Sequence, residues 1–164
     1  MTEDKISLFR ARIARSGAGV KSATTLEELS LVISELIHGA DSVYCPGMTE
    51  IEKSVAIPPE ALVADYNNAK VTVEEVMAGI AETGTIVCAS SSGKALQASL
   101  APYHHVAIIS REKIFADLDE FFARMTRPLP TNITFVTGPS RTGDIELTLS
   151  TGVHGPGRVD VIIC

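Results

Sequence analysis

The sequence predicts an α/β domain, a mostly parallel sheet flanked by helices, on three observations. The apolar runs "TIVCA", "HVAII" and "RVDVIIC" are short and nearly continuous rather than alternating, as strands buried on both faces are. Between such runs lie stretches with apolar residues at helical spacing, and strands that alternate with amphipathic helices pair in parallel with helices on both faces. The length of 164 residues, with 45% hydrophobic and 21% charged, suits one globular domain.

In chain order, "KISLFRARIARSGAG" sets Ile6, Phe9 and Ile13 on one helical face with Arg10, Arg12 and Arg15 elsewhere. Transit peptides share that pattern, but Glu3 and Asp4 argue against one. Residues 1–20 therefore read as an N-terminal helical segment docked on the domain or on a partner, and residues 21–164 as a single α/β domain. Thr25 and Glu28 form a capping box, after which Leu26, Leu29, Val32, Ile33, Leu36 and Ile37 recur at helical spacing up to Gly39. "DSVYC" follows as a strand, and "PG" turns the chain. Met48 to Pro59 carries little pattern, and "ALVAD" at 61–65 reads as another buried strand. Thr72 and Glu75 repeat the capping signal and predict a helix whose apolar face holds Val73, Val76, Met77 and Ile80. "TIVCA" is the next strand, followed by a Ser-rich loop, a short helix around Leu96 to Leu100, and the strand "HVAII". Ile114, Leu118, Phe121 and Phe122 mark a helix that ends before "RPLP". "ITFVT" and "RVDVIIC" complete the strands, with a short helix around Asp144 to Leu149 between them.

Net charge is −6, from 14 basic and 20 acidic side chains without a run of like sign, which leaves no electrostatic footprint for nucleic acid or an anionic membrane. No apolar run approaches the roughly 20 residues of a membrane helix and the N-terminus lacks a signal-peptide core, so a soluble, cytoplasmic protein is expected. Cys45, Cys88 and Cys164 are odd in number and far apart, without CxxC spacing. Buried free thiols are expected, with Cys45 in its "YCPG" turn the one candidate for reactivity.

Ligands of such sheets sit beyond the carboxyl ends of the strands, which directs attention to three loops, "ETG", "SSSGK" and "TGPSRTGDIE". In the last, Gly138 and Pro139 turn the chain, Ser140 or Thr142 caps a helix, and Asp144 and Glu146 complement its dipole. Arg141 then stands beside free backbone N–H groups that favour an anion. Two roles are open to it: holding a phosphate or carboxylate together with Ser140, or pairing internally with Asp144 or another acid. "SSSGK", from Ser90 to Lys94, is rich in hydroxyls and amides but lacks the P-loop spacing, and its serines have no identifiable base. It is either a solvated loop or an anion cradle. His104 and His105 are neighbours in a strand and point to opposite faces, so they do not ligate one ion together, and no metal site is expected. His154 lies among Gly152, Gly155 and Gly157, either where backbone approaches a ligand closely or in a plain turn before the last strand. Glu82, at the end of the expected helix, is electrostatically ill placed unless something offsets it; it is either solvated or a general base or nucleophile.

The segments "GIAETGTIV", "SLAPYHHVAII" and "TFVTGPSRTGDIELTLSTGVHGPGRVDVIIC", in that order, resemble the LUD-domain family over Val71 to Cys164. The resemblance implies a three-layer α/β sandwich similar to the NagB/RpiA/CoA-transferase-like folds. It maps the family's motif onto Glu82, Thr83, Gly84, Ser140, Arg141, Thr142, Asp144, Glu146, His154, Gly155 and Pro156 without assigning a role to each, and it favours a site over turn geometry in the last loop. It further implies lactate utilization: a non-cluster subunit or accessory protein of an iron–sulfur L-lactate oxidation system, binding a small anion or a partner at loops on the sheet edge. The clusters then belong to iron–sulfur partner subunits, with no cofactor in this chain. Because a fold does not supply a reaction, a second reading stands beside this one: a stand-alone CoA-transferase-like or sugar-phosphate-type enzyme with Glu82 as acid, base or nucleophile and Arg141 as anion anchor. A homo-oligomer is compatible with either.

Overall fold

Hydrophobic spacing decides where the first helix lies. In the computed structural model, which describes residues 2–91, 93–140 and 155–164, helix α1 spans Thr2–Arg15 and buries Ile6, Phe9 and Ile13 along one stripe. At about 1.5–3 kcal/mol for each large apolar side chain removed from water, that stripe holds the helix on the domain. Strand β1 (Gly19–Ser22) follows, then α2 (Leu26–Leu36), which starts as expected: Thr25 Oγ1 accepts from the Glu28 N–H at 3.1 Å. The Glu28 carboxylate closes the turn one residue further out, accepting from the Thr24 N–H and hydroxyl, both at 2.7 Å. Leu29, Ile33 and Leu36 are its buried face. β2 (Val43–Tyr44) is the strand expected in "DSVYC".

The next stretches depart from expectation. The weakly patterned segment holds a helix, α3 (Glu50–Ser54), with a complete capping box between Thr49 and Glu52. "ALVAD" is not a strand: Leu62 makes only an isolated bridge to Val43, because Pro58 O accepts from the N–H groups of Ala61 and Leu62 and bends the chain. The helix predicted from Thr72 is absent, and residues 71–80 form two strands, β3 (Val71–Glu75) and β4 (Ala78–Ile80). Val71, Thr72 and Val73 are β-branched, and β3 lies inside the sheet with its first four residues buried. Covering both faces of that run outweighs a capping preference of about 1 kcal/mol.

Prediction and structure agree again at β5 (Thr85–Ala89), α4 (Gln97–Leu100) and β6 (His104–Ile109). Ile114, expected in the following helix, forms β7 (Ile114–Phe115) instead. The helix itself, α5 (Leu118–Arg124), begins where the Asp117 carboxylate accepts from the Glu120 N–H at 2.7 Å. β8 (Ile133–Val136) and β9 (Arg158–Ile163) fall where expected; the short helix predicted around Asp144 to Leu149 lies outside the described residues.

Five strands pair in the order β1-β9-β6-β3-β2, every neighbouring pair parallel, which is the expected mostly parallel sheet. A second, mixed sheet goes beyond the expectation: β7-β4-β5-β8, with β5 antiparallel to both its neighbours and β4 parallel to β7. Alternation along the strands sorts the side chains. Val73, Val106, Ile108 and Ile162 meet α2, whereas Ala107, Ile109, Val161 and Ile163 meet α1 and β5. Gly84 closes the β4–β5 hairpin at φ 67° and lies so near the backbone of Arg12 and Ile13 that no side chain fits there. Among the described residues no helix is long and apolar enough to cross a membrane.

Candidate functional site

The period of two along β3 turns Thr72 and Glu74 to the same face, between the two sheets. In register, Thr72 lies beside His105 of β6, so these polar side chains share one surface. β5 brings the Cys88 thiol from the opposite sheet, and the loop after it returns Lys94. Reciprocal backbone hydrogen bonds between Ser91 and Lys94, at 3.1 and 3.0 Å, fix that return. Ser99 of α4 sits beside the Cys88 thiol. Thr72, Glu74, Cys88, Ser99 and His105 are wholly buried, and Lys94 is 8% exposed.

The Lys94 ammonium pairs with Glu74 Oε2, and His105 Nε2 lies 2.8 Å from Glu74 Oε1. That second approach has ion-pair distance without hydrogen-bond alignment: both Glu74 oxygens and both His105 nitrogens lack an aligned partner. Burial works to raise the Glu74 pKa, but His105 and Lys94 outweigh it and hold the carboxyl at about 2. For Lys94 burial opposes the charge and Glu74 outweighs it, so the pKa is raised. Burial pushes the Cys88 thiol up to about 12. At neutral pH the chamber therefore holds a carboxylate, an ammonium and a protonated thiol.

Lys94 connects this interior to the surface. A cleft of about 270 Å³ opens at the carboxyl ends of β3 and β5, lined by Lys94, Glu52, Glu75, Lys113, Met48 and Pro130 among others. Its walls are braced by charge: Lys113 Nζ donates to Glu75 Oε1 at 2.5 Å, and the buried Glu52 carboxylate accepts from the N–H groups of Met48 and Glu75, both at 2.8 Å. A second hollow of about 510 Å³ lies on the other side of Lys94, between Tyr44, Asp65, Tyr66 and Gly93.

The expected split of the two histidines is observed. His104 faces away from His105 and bonds Asp160 at 2.8 Å, an oxygen that also accepts from Arg158 Nε at 2.8 Å. Burial opposes the Asp160 charge, but His104 and Arg158 outweigh it and hold the carboxyl below its usual range.

Apart from Lys94 and His105, the site residues singled out from sequence do not join this cluster. Glu82 and Thr83 are exposed on the β4–β5 turn and line none of these hollows, and Gly84 serves packing against α1. A chain of hydroxyls, Thr83–Thr85–Thr137, each step 2.7 Å, ties that turn to the end of β8. Ser140 and Gly155 do meet: the Ser140 N–H donates to Pro156 O at 2.8 Å, and both residues border a hollow of about 300 Å³. Arg141, Thr142, Asp144, Glu146 and His154 lie outside the described residues. Since β5 and β8 are antiparallel, the loop carrying Lys94 and the loop carrying Ser140 stand at opposite ends of the second sheet. Glu74 escapes sequence reading, and its grouping with Cys88 and His105 does too, because the three come from three strands with no spacing to mark them.

Two sheets with a buried polar cluster between them, joined through Lys94 to a surface cleft, define an α/β domain. The chain belongs to the LUD-domain family, whose model matches residues 59–164. A lactate utilization protein C of Exiguobacterium sp. is 32% identical over 98% of this chain and 78% of the relative. Proteins of the same name from Shouchella clausii and Halalkalibacterium halodurans are 39% and 34% identical over 51% and 63% of this chain. In those two matches the aligned part spans only 39% and 48% of the relative. The crystal structure of a DUF162 family protein from Deinococcus radiodurans has the same fold, with a TM-score of 0.73 at 20% identity, covering 99% of this chain and 98% of that one.

Proposed function

We propose that this protein serves lactate utilization, as a non-cluster subunit or accessory protein of an iron–sulfur L-lactate oxidation system in the cytoplasm. The observation that carries the reading is the near full-length similarity to a relative named lactate utilization protein C. The clusters reside in iron–sulfur partner proteins. This chain contributes a small-anion or partner-binding surface at the loop after β8, where Ser140 and Gly155 border a hollow and Arg141 follows directly in sequence.

Deleting the gene should abolish growth on L-lactate, and the tagged protein purified from lactate-grown cells should bring iron–sulfur proteins in stoichiometric amount. Unchanged lactate oxidation in the deletion strain rejects the role. In calorimetry with L-lactate, Arg141→Ala should weaken binding by about 1–3 kcal/mol, the scale of a lost charge-assisted hydrogen bond; equal affinities reject Arg141 as the anchor.

A further inference from the structure

We propose that Glu74, Cys88 and His105 form a site for a divalent transition metal of the zinc class, at the inner end of the cleft that Lys94 lines. This goes beyond the lactate reading and does not depend on it. A His nitrogen, the Cys88 sulfur and a Glu74 oxygen all lie within 4.8 Å of one another, and all three residues are buried. Zinc held at about 2.0–2.3 Å by such atoms leaves them roughly 3–4 Å apart, so His105 Nε2 and Glu74 Oε1, now 2.8 Å from each other, part slightly around the ion while the Cys88 sulfur closes on it.

A second observation is independent of that distance. Among the described residues, the buried side-chain nitrogens and oxygens without an aligned hydrogen-bond partner all belong to Thr72, Glu74, Ser99 and His105; Lys94 and His105 still approach the Glu74 oxygens and Ser99 the Cys88 thiol, which leaves Thr72 Oγ1 and His105 Nδ1. Buried polar groups left unpaired are ordinarily rare and costly, and both of these adjoin the three ligating side chains. His105 Nε2 and Glu74 Oε1 approach to 2.8 Å with poor hydrogen-bond alignment, a contact that can open around an ion. Imidazole, thiolate and carboxylate together suit zinc, not calcium or magnesium, which take oxygen ligands.

Lys94 has a place in the arrangement. Its ammonium pairs with Glu74 Oε2 and leaves Oε1 for the ion, so it orients the ligand from outside. On binding, Cys88 releases its thiol proton to solvent as the sulfur–metal bond forms. Three protein ligands leave a tetrahedral ion one position for water or a substrate oxygen, the pattern of catalytic rather than structural zinc sites.

The test is cobalt titration of the chelator-treated full chain, purified without a histidine tag. One equivalent of Co²⁺ should bind saturably, with a thiolate-to-cobalt charge-transfer band in the near ultraviolet that Zn²⁺ abolishes by displacement. Cys88→Ser should remove that band and weaken binding at least about tenfold. His105→Gln should keep the band while weakening affinity, and Cys45→Ser should change neither. The wild-type titration decides even where a variant misfolds: no saturable uptake overturns the proposal. So does a band that survives in folded Cys88→Ser and disappears in Cys45→Ser or Cys164→Ser.

Discussion

Lys94→Met removes the ammonium from the buried pair while keeping an unbranched side chain in its place. Glu74 is fully buried, and after the substitution only His105 remains against its carboxylate. Removing one partner of a buried ion pair typically costs about 3–5 kcal/mol, because the other charge stays buried and uncompensated. In a domain of this size each kcal/mol moves the thermal midpoint by about 2–4 °C, so a fall of about 6–20 °C is expected. Urea denaturation followed by circular dichroism, in chelator, reads the loss directly at unchanged m-value. The double variant Glu74→Gln/Lys94→Met should recover much of it, since the stranded charge is gone. The sign of the pH dependence follows from Glu74, whose pKa is lowered from 4.5 to about 2. A depressed carboxyl stabilises fully above pH 4.5 and loses that contribution as pH falls toward 2, so the penalty of Lys94→Met should shrink in acid. A loss below about 1 kcal/mol at pH 7, the size of an exposed pair, refutes the reasoning.

Gly84→Ala should cost clearly more than Gly39→Ala in denaturant midpoints: both have positive φ, but a side chain at 84 meets α1 whereas the space around 39 is open. Asp160→Asn should flatten the acid limb of the stability curve, because a carboxyl held below its usual range stabilises above pH 4 and loses that contribution below it; an unaltered acid limb contradicts the His104–Asp160–Arg158 cluster. Phe9→Ala should destabilise by about 3–5 kcal/mol, and unfolding of α1 separately from the sheets in hydrogen exchange would show that its stripe is not part of their core.

Much of the fold was legible because the signals were local. Ile6, Phe9 and Ile13 marked a face, Thr25 marked a start, and the continuous apolar run of β6 marked a buried strand. The failures occurred where a local signal met a stronger tertiary demand. Thr72 and Glu75 carry the letters of a capping box, but the sheet needs a central strand there, and Thr72 turns its hydroxyl inward. Thr49 and Glu52 carry the same letters in a helix too short to show a periodicity, and there the box is real. Sequence order likewise hid the chamber. Lys94 stood out with its loop and the facing of His105 was derivable, but Glu74 and Cys88 acquire meaning only when β3, β5 and β6 are brought together.

Lys94 and Ser91 border both the 270 Å³ cleft and the 510 Å³ hollow, so the two spaces share a partition one loop thick. A partition cannot be recut for one room alone: bulk added at either residue narrows both, and a smaller residue lets them merge. Evolution or a designer reshaping one cavity must work through residues that only it possesses, such as Met48 and Met77 on one side and Asp65 and Tyr66 on the other.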